Sequence, residues 1–367
     1  MTCLNVDIPG RAYEIVVERG LIESLGERVR ALAPHDRALV VVDASIANSH
    51  GSRAIESLGS AGYDLAVAEV VSDESTKSLE SARRLYDQML ASRLERGSPV
   101  IAIGGGVVGD LAGFSAATYL RGVPLIHVPT TVVAMVDAAI GGKTGVNVAL
   151  PNGDLGKNLI GAFWQPRGVL VDPAVLDTLP PRELRCGLAE CVKHALIADA
   201  ALLEFIQTEM RSLLALNAAK IDRLLVRSAS IKAGIVSRDE RESGERALLN
   251  LGHTFAHAIE PLGTLGLKHG EAVSIGLVAA MRCAGMLGRV TDEEIDLVTH
   301  VLENLGLPTQ LPRPVAVDRL VAMMQFDKKV QGGRVRLVLP QGIGAAAVVS
   351  DVPETVVRTT WASIGAA

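Results

Sequence analysis

Cysteine is scarce in this 367-residue chain: four residues, Cys3, Cys186, Cys191 and Cys283, with no CxxC pair. That spacing excludes a disulfide framework or a structural zinc knuckle and predicts a reducing, cytoplasmic setting. Basic charge is not in excess either. The formal net charge is −5, so the electrostatic footprint that binds nucleic acid or an anionic membrane surface is missing, and neither partner is expected. Long apolar runs are lacking as well. The longest, around residues 272 to 281, stops at Arg282, too short to cross a bilayer. Residues 1 to 20 alternate apolar and polar positions like a strand and lack the apolar core of a signal peptide. Repeats and low-complexity tracts are not found. What remains is an ordinary globular composition, 49% hydrophobic and 21% charged, in a chain longer than one core usually serves, so two domains are expected.

The first half alternates β-rich runs with helical patterns: ALVVVDAS, SRAIESLGSAG, DLAVAEVV, a helix over residues 78 to 96, then PVIAIGGG. This order reads as α/β with a mainly parallel sheet. After LPPRE at 179 to 183 the strand signals nearly vanish, and helical periodicity runs to residue 305. A short β-like return, RVRLVLPQGIGAAAVV, follows at 334 to 349. The boundary is therefore expected near residue 180, with an α/β domain over 1–180 and a mainly α-helical domain over 181–367, and a cleft between domains is the default place for a ligand.

The strand ending at Ile103 runs into Gly104-Gly105-Gly106-Val107-Val108-Gly109-Asp110. Bare glycines there let the backbone approach a pyrophosphate at a helix N-terminus, although a tight strand-to-helix turn accounts for them equally. In a standard dinucleotide fold the ribose-binding acid lies downstream of such a loop, whereas the best candidate here, Asp43, ends an earlier strand. If NAD binds, the domain is Rossmann-like but of non-standard topology. Gly141-Gly142-Lys143-Thr144 looks like a P-loop, but Asp137 stands where its first glycine belongs, so this is not an NTPase signature. Instead Asp137 and Lys143 bracket a glycine turn and Lys157-Asn158 follow in a second one, donors suited to phosphate and hydroxyl groups.

The strongest signal is RALLNLGHTFAHAIE at 246 to 260. At roughly 100° per residue, Arg246, Asn250, His253 and His257 fall within about 60° of one another on a helical wheel. One polar stripe on an otherwise apolar helix predicts a ligand or a metal, because buried polar groups need partners. LKHGE supplies His269, and GLAECVKHALI places Glu190 and Lys193 one turn apart. Glu190 with two histidines would make a three-ligand divalent site with an open position, as catalytic zinc requires. Taken alone, Glu190 reads as a helix-surface acid and His269 as a capped loop residue. His194 points elsewhere and reads as structural.

At these residues the chain resembles the 3-dehydroquinate synthase family of sugar phosphate cyclases. The resemblance covers nearly the whole length and rests on GGGVVGDLAGFSAATYLRG, PTT, GGKTGVN, GKNLIGAFWQP, GLAECVKHALI, DERESGERALLNLGHTFAHAIE and HGEAV in combination. It implies an NAD-binding N-terminal domain, a helical metal-binding C-terminal domain and a homodimer. Its metal ligands, for zinc or cobalt, fall on Glu190, His253 and His269. Its NAD contacts fall on Asp43, Glu74, Lys77, Gly104, Gly105, Gly106, Asp110, Thr130, Thr131, Lys157 and Thr178. Its substrate pocket falls on Arg121, Asp137, Lys143, Asn158, Lys193, Lys232, Arg246, Asn250 and His257, with a lysine from Asp327-Lys328-Lys329, of which Lys328 is taken. Glu242 and His257 match proton acceptors, and Lys143 and Arg246 join them as candidate catalytic residues.

The activity implied is a phosphate-eliminating lyase of the shikimate pathway. It converts 3-deoxy-D-arabino-heptulosonate 7-phosphate to 3-dehydroquinate by transient oxidation, elimination, reduction and aldol closure. Two departures from the family pattern stand out: VALPNGDL at 148 to 155 lengthens the link before Lys157 and Asn158, and Ala138-Ala139 replace small hydroxyl residues. The competing readings are a cyclase acting on a neutral heptulose 7-phosphate and a metal-dependent glycerol-type dehydrogenase. A non-catalytic nucleotide-binding protein would keep the glycine loop but has no need of the metal set.

Overall fold

A computed structural model describes residues 1–150, 155–325, 330–331 and 334–367. Lys328, with Asp327 and Lys329, lies outside the described residues, as do residues 151–154 of the lengthened link before Lys157. The chain divides into two compact units, Met1–Leu179 with Ile221–Arg241, and Pro180–Lys220 with Glu242–Ala367. The sequence offers one boundary, near 180; the structure adds a helical segment that returns to the first unit.

In the first unit the elements run β1 (Thr2–Val6), β2 (Tyr13–Val17), α1 (Leu25–Leu32), β3 (Arg37–Asp43), α2 (Ser52–Ser60), β4 (Asp64–Val70), α3 (Leu79–Ala91), β5 (Val100–Gly104), α4 (Gly106–Thr118), β6 (Leu125–Pro129), β7 (Lys143–Ala149), β8 (Leu155–Phe163) and β9 (Gly168–Val171). Seven strands form one sheet in the order β1-β2-β9-β6-β5-β3-β4, parallel except for the β1–β2 hairpin. Strands β5, β6 and β9 are buried at every position. Continuous apolar runs of this kind belong to parallel strands covered on both faces, and the sequence carries them as VIAIG, LIHVP and GVLV. Strands β7 and β8 form a separate antiparallel hairpin. Helix α3 is shorter than the periodicity suggests. Ser78 caps its start by accepting the Ser81 N–H, but the helix stops at Ala91 and Arg93 adopts φ 52°, a left-handed conformation that cannot continue a helix.

One buried side chain sets a stability prediction. His127, on β6, is 5% exposed, and burial pulls its pKa from 6.5 down to about 4. The unfolded chain therefore takes up this proton more readily than the folded one. The contribution is complete above about pH 6.5 and is lost as pH falls towards 4, amounting to about 2 kcal/mol between pH 7 and pH 5. Urea unfolding of the wild type and His127→Gln at both pH values checks this: their stability difference should shift by that amount, and an unchanged difference rules the effect out.

The second unit holds α5 (Pro181–Ala198), α6 (Ala200–Thr208), α7 (Met210–Leu214) and the start of α8 (Ala218–Arg238), most of which lies in the first unit. It continues with α9 (His253–Ile259), α10 (His269–Met286), α11 (Asp292–Asn304), α12 (Val317–Gln325) and α13 (Glu354–Ser363). The β-like return is an antiparallel pair, Leu337–Pro340 with Ala346–Val349. Helix α10 is buried along most of its length, and the ring of Phe255 meets fully buried Trp361 edge-on at 5.2 Å. Among the described residues, no helix is long and apolar enough to cross a membrane.

Candidate metal centre and dinucleotide loop

Two close backbone approaches build the centre of the second unit. A Cβ on Gly270 would lie 2.3 Å from the Cys186 carbonyl oxygen, and one on Gly276 would lie 2.2 Å from that of Gly252. Only glycine permits these distances, so α10 packs tightly against α5 and against the turn entering α9. Glu190 projects from mid-α5, while His253 and His269 open α9 and α10. One ligand atom from each of the three lies within 4.8 Å of the others. Glu190 Oε1 is 3.1 Å from His269 Nε2 and 3.6 Å from His253 Nε2, and Glu190 Oε2 is 2.5 Å from Lys193 Nζ. Glu190 is fully buried, where a carboxylate persists only with cationic or metal partners. Burial, helped by Lys193, holds His253 well below the usual histidine range. At His269 burial also pulls downward, but Glu260 and then Glu190 outweigh it and raise the pKa to about 10. Glu260 Oε1 lies 2.5 Å from His269 Nδ1, and the Leu251 carbonyl lies 3.2 Å from His253 Nδ1. One carboxylate and two imidazoles suit a borderline divalent ion such as zinc or cobalt.

The single helix expected over 246 to 260 does not form. A 3₁₀ turn over Glu245–Asn250 ends at extended Leu251, Gly252 turns left-handed at φ 77°, and α9 starts afresh at His253. The cause is the same crowding: a Cβ at Gly252 would sit 2.9 Å from the Leu277 nitrogen. Arg246 and Asn250 are thus carried by one element, His253 and His257 by another. Arg246 is 1% exposed. Asn250 donates to the Glu242 carboxylate, and Glu242 itself has φ 60°, a strained backbone for a residue with a side chain. His257 is exposed, with its ring edge-on to His253 at 5.5 Å. His194 is buried in α5.

In the first unit, β5 leads into α4 through Gly104 and Gly105. Gly105 is the N-cap and offers no side chain to the amides of the first turn, which leaves them available to an anion. A Cβ at Gly105 would meet Thr131 Cγ2 at 3.2 Å, so a side chain there would press on Thr131. The Thr130 N–H donates to the Gly104 carbonyl, and Thr131 Oγ1 accepts from the Ala134 N–H. Lys77 pairs with Asp110, whose carboxyl is pushed up by burial while Lys77 opposes the rise. Asp43, at the end of β3, accepts from the Ser45 N–H and hydroxyl at 2.9 and 2.7 Å. Thr178 shares a hydrogen bond with His50 Nε2 at 2.8 Å.

Family models described as 3-dehydroquinate synthase N-terminal and 3-dehydroquinate synthase C-terminal match residues 67–186 and 187–330. The chain belongs to the 3-dehydroquinate synthase family. A curated 3-dehydroquinate synthase of Nostoc punctiforme is 46% identical over 97% of both chains. Among solved structures, a 2-epi-5-epi-valiolone synthase of Streptomyces hygroscopicus subsp. jinggangensis with NAD+ and Zn2+ bound is 31% identical, with a TM-score of 0.88 over 96% of each chain. A 2-deoxy-scyllo-inosose synthase complexed with carbaglucose-6-phosphate, NAD+ and Co2+ is 25% identical, with a TM-score of 0.88 over 98% of this chain and 99% of that one.

The remaining positions matched from the 3-dehydroquinate synthase family lie in the first unit. Lys157 and Asn158 sit within β8, not in a second glycine turn. Pairing passes from Val146↔Ile160 to Val148↔Gly156, so three residues of β8 bulge opposite Asn147, and Asn158 takes φ 55°. Asn147 is 4% exposed and ties three segments together. Its amide donates to the Glu74 carbonyl and carboxylate at 2.8 and 2.7 Å, its Oδ1 accepts the Asn158 N–H at 3.0 Å, and its own N–H donates to the Lys77 carbonyl at 2.8 Å. Lys232, on α8, donates to the carbonyl of Asp137 at 2.7 Å and pairs with its carboxylate. Lys143 opens β7, and Arg121 follows α4 at φ 67°; both are exposed. Sequence reasoning passed over Asn147 and Glu260. Nothing in the sequence marks the first, but the second stands seven residues after His253, on the same helical face.

Proposed function

We propose that this chain is a 3-dehydroquinate synthase acting on 3-deoxy-D-arabino-heptulosonate 7-phosphate, with Glu190, His253 and His269 holding zinc or cobalt and the Gly104-Gly105-Gly106 loop receiving the NAD pyrophosphate. The observation that carries the reading is the convergence of those three ligand atoms within 4.8 Å in a chain of this family. When bound, NAD supplies a reversible hydride acceptor and the ion polarises the substrate's hydroxyl and ketone oxygens. The protein's own contribution is positioning. Arg246 forks the substrate carboxylate with Asn250 beside it. Lys143, Asn158 and Arg121 hold the phosphate, and Lys193, Lys232 and Asp137 order the ring hydroxyls and carboxylate. Glu242, which already accepts a proton donor in Asn250, and His257 serve as proton acceptors. Asp43, Glu74, Lys77, Asp110, Thr130, Thr131, Lys157 and Thr178 line the NAD. Closure of the ring then depends on confinement.

Because oxidation and reduction would occur on one bound cofactor, a trace of NAD+ should support many turnovers. In a phosphate-release assay with the heptulosonate phosphate, added zinc and substoichiometric NAD+, phosphate should exceed NAD+ many-fold without NADH accumulating. NADH rising in step with product would favour a glycerol-type dehydrogenase. The valiolone synthase likeness keeps a neutral-heptulose cyclase as the second reading, against which the higher identity to the curated synthase weighs. We further place the enzyme in the cytoplasm as a homodimer. Its free cysteines, three of them buried, suit a reducing compartment, and the dimer follows the family resemblance.

A further inference from the structure

We infer that Glu260 is a positioning residue for the metal centre, fixing the ring of His269 so that its Nε2 faces Glu190 and His253. This rests on the metal reading proposed above. Both histidines present Nε2 to the same oxygen, Glu190 Oε1, at 3.1 and 3.6 Å. Each then has Nδ1 left over, and each Nδ1 meets an oxygen: the Leu251 carbonyl for His253 and the Glu260 carboxylate for His269. Neither oxygen can donate, so Nδ1 carries a proton in both rings, and Nε2 is the nitrogen turned to the centre, where a bound ion would take the place of any proton on it.

The two rings differ in what else restrains them. The His253 side chain is 10% exposed and is held by its surroundings, whereas that of His269 is 42% exposed. For His269 the hydrogen bond must supply the orientation that packing supplies for His253. Glu260 is placed at a cost. Its side chain is 6% exposed and it caps the C-terminal end of α9, where the helix dipole disfavours negative charge. A buried carboxylate in that position is explained by the imidazole it holds, and its charge raises the basicity of Nε2 as a ligand.

The test is zinc affinity, measured by competition with a chromophoric chelator, together with the visible spectrum of the cobalt-loaded protein, for wild type, Glu260→Ala, Glu260→Gln and His269→Ala. Glu260→Ala should weaken zinc binding about 10- to 100-fold and alter the cobalt bands. Glu260→Gln keeps an acceptor oxygen and should recover the cobalt spectrum with a loss of only about threefold to tenfold. A loss in His269→Ala with wild-type affinity and spectrum in Glu260→Ala overturns this inference alone. Equal affinity in wild type and His269→Ala overturns the metal reading and this inference with it. Should Glu260→Ala fail to fold, Glu260→Gln decides: affinity and spectrum indistinguishable from wild type overturn the role.

Discussion

Alanine at Glu190, His253 or His269 is expected to abolish tight zinc binding and lower phosphate release by on the order of 10³-fold or more, equivalent to roughly 4 kcal/mol of transition-state stabilisation. A three-ligand site has no ligand to spare. The three variants should differ in stability, however. Glu190→Ala removes the carboxylate 2.5 Å from Lys193 in a fully buried setting, and breaking such a pair costs about 3–5 kcal/mol. His269→Ala removes the imidazole beside the buried Glu260 carboxylate, so it too should lose stability, but less than Glu190→Ala because the His269 side chain is 42% exposed, and it should still be inactive. Metal content, thermal unfolding and phosphate release measured on all three separate the effects. Wild-type turnover in metal-free protein would refute the proposed chemistry.

Arg246→Lys should lower kcat/KM for the carboxylated substrate by about 2 kcal/mol or more, near 30-fold, because lysine keeps the charge and loses the planar fork. Arg246 is 1% exposed, and a desolvated guanidinium discriminates strongly between a substrate that brings an anion and one that does not. A neutral heptulose 7-phosphate should therefore be a poor substrate for the wild type, and the variant should discriminate less between the two. If the wild type turns over both equally and Arg246→Lys slows them alike, the neutral-sugar reading replaces the one proposed here.

The α/β half was legible because parallel strands buried on both faces leave continuous apolar runs, such as Val100–Gly104 and Leu125–Pro129. The convergence of Glu190, His253 and His269 was legible by residue type, since histidines and a glutamate in apolar surroundings call for partners. Its local geometry was not. Helical counting ran straight through Gly252, whose left-handed turn is imposed by contact with Gly276 and Leu277, residues far along the chain. The bulge that carries Asn158 depends on a cross-strand partner, Asn147, and strand pairing leaves no local trace. Nor does an amphipathic helix reveal which core its apolar face will meet, which is why Ile221–Arg241 could not be assigned to the first unit from sequence.

That returning segment constrains how the protein is made and how its gene can be cut. During synthesis the sheet-bearing unit is complete only when residue 241 has emerged, by which time Pro180–Lys220 of the other unit has already been made and has its remaining partners still to come. Neither unit is a contiguous stretch of coding sequence. A fragment ending at residue 180 would leave Asp137 without the lysine that pairs with it on α8, so the sheet-bearing unit cannot be exchanged, shuffled or expressed intact as one uninterrupted piece.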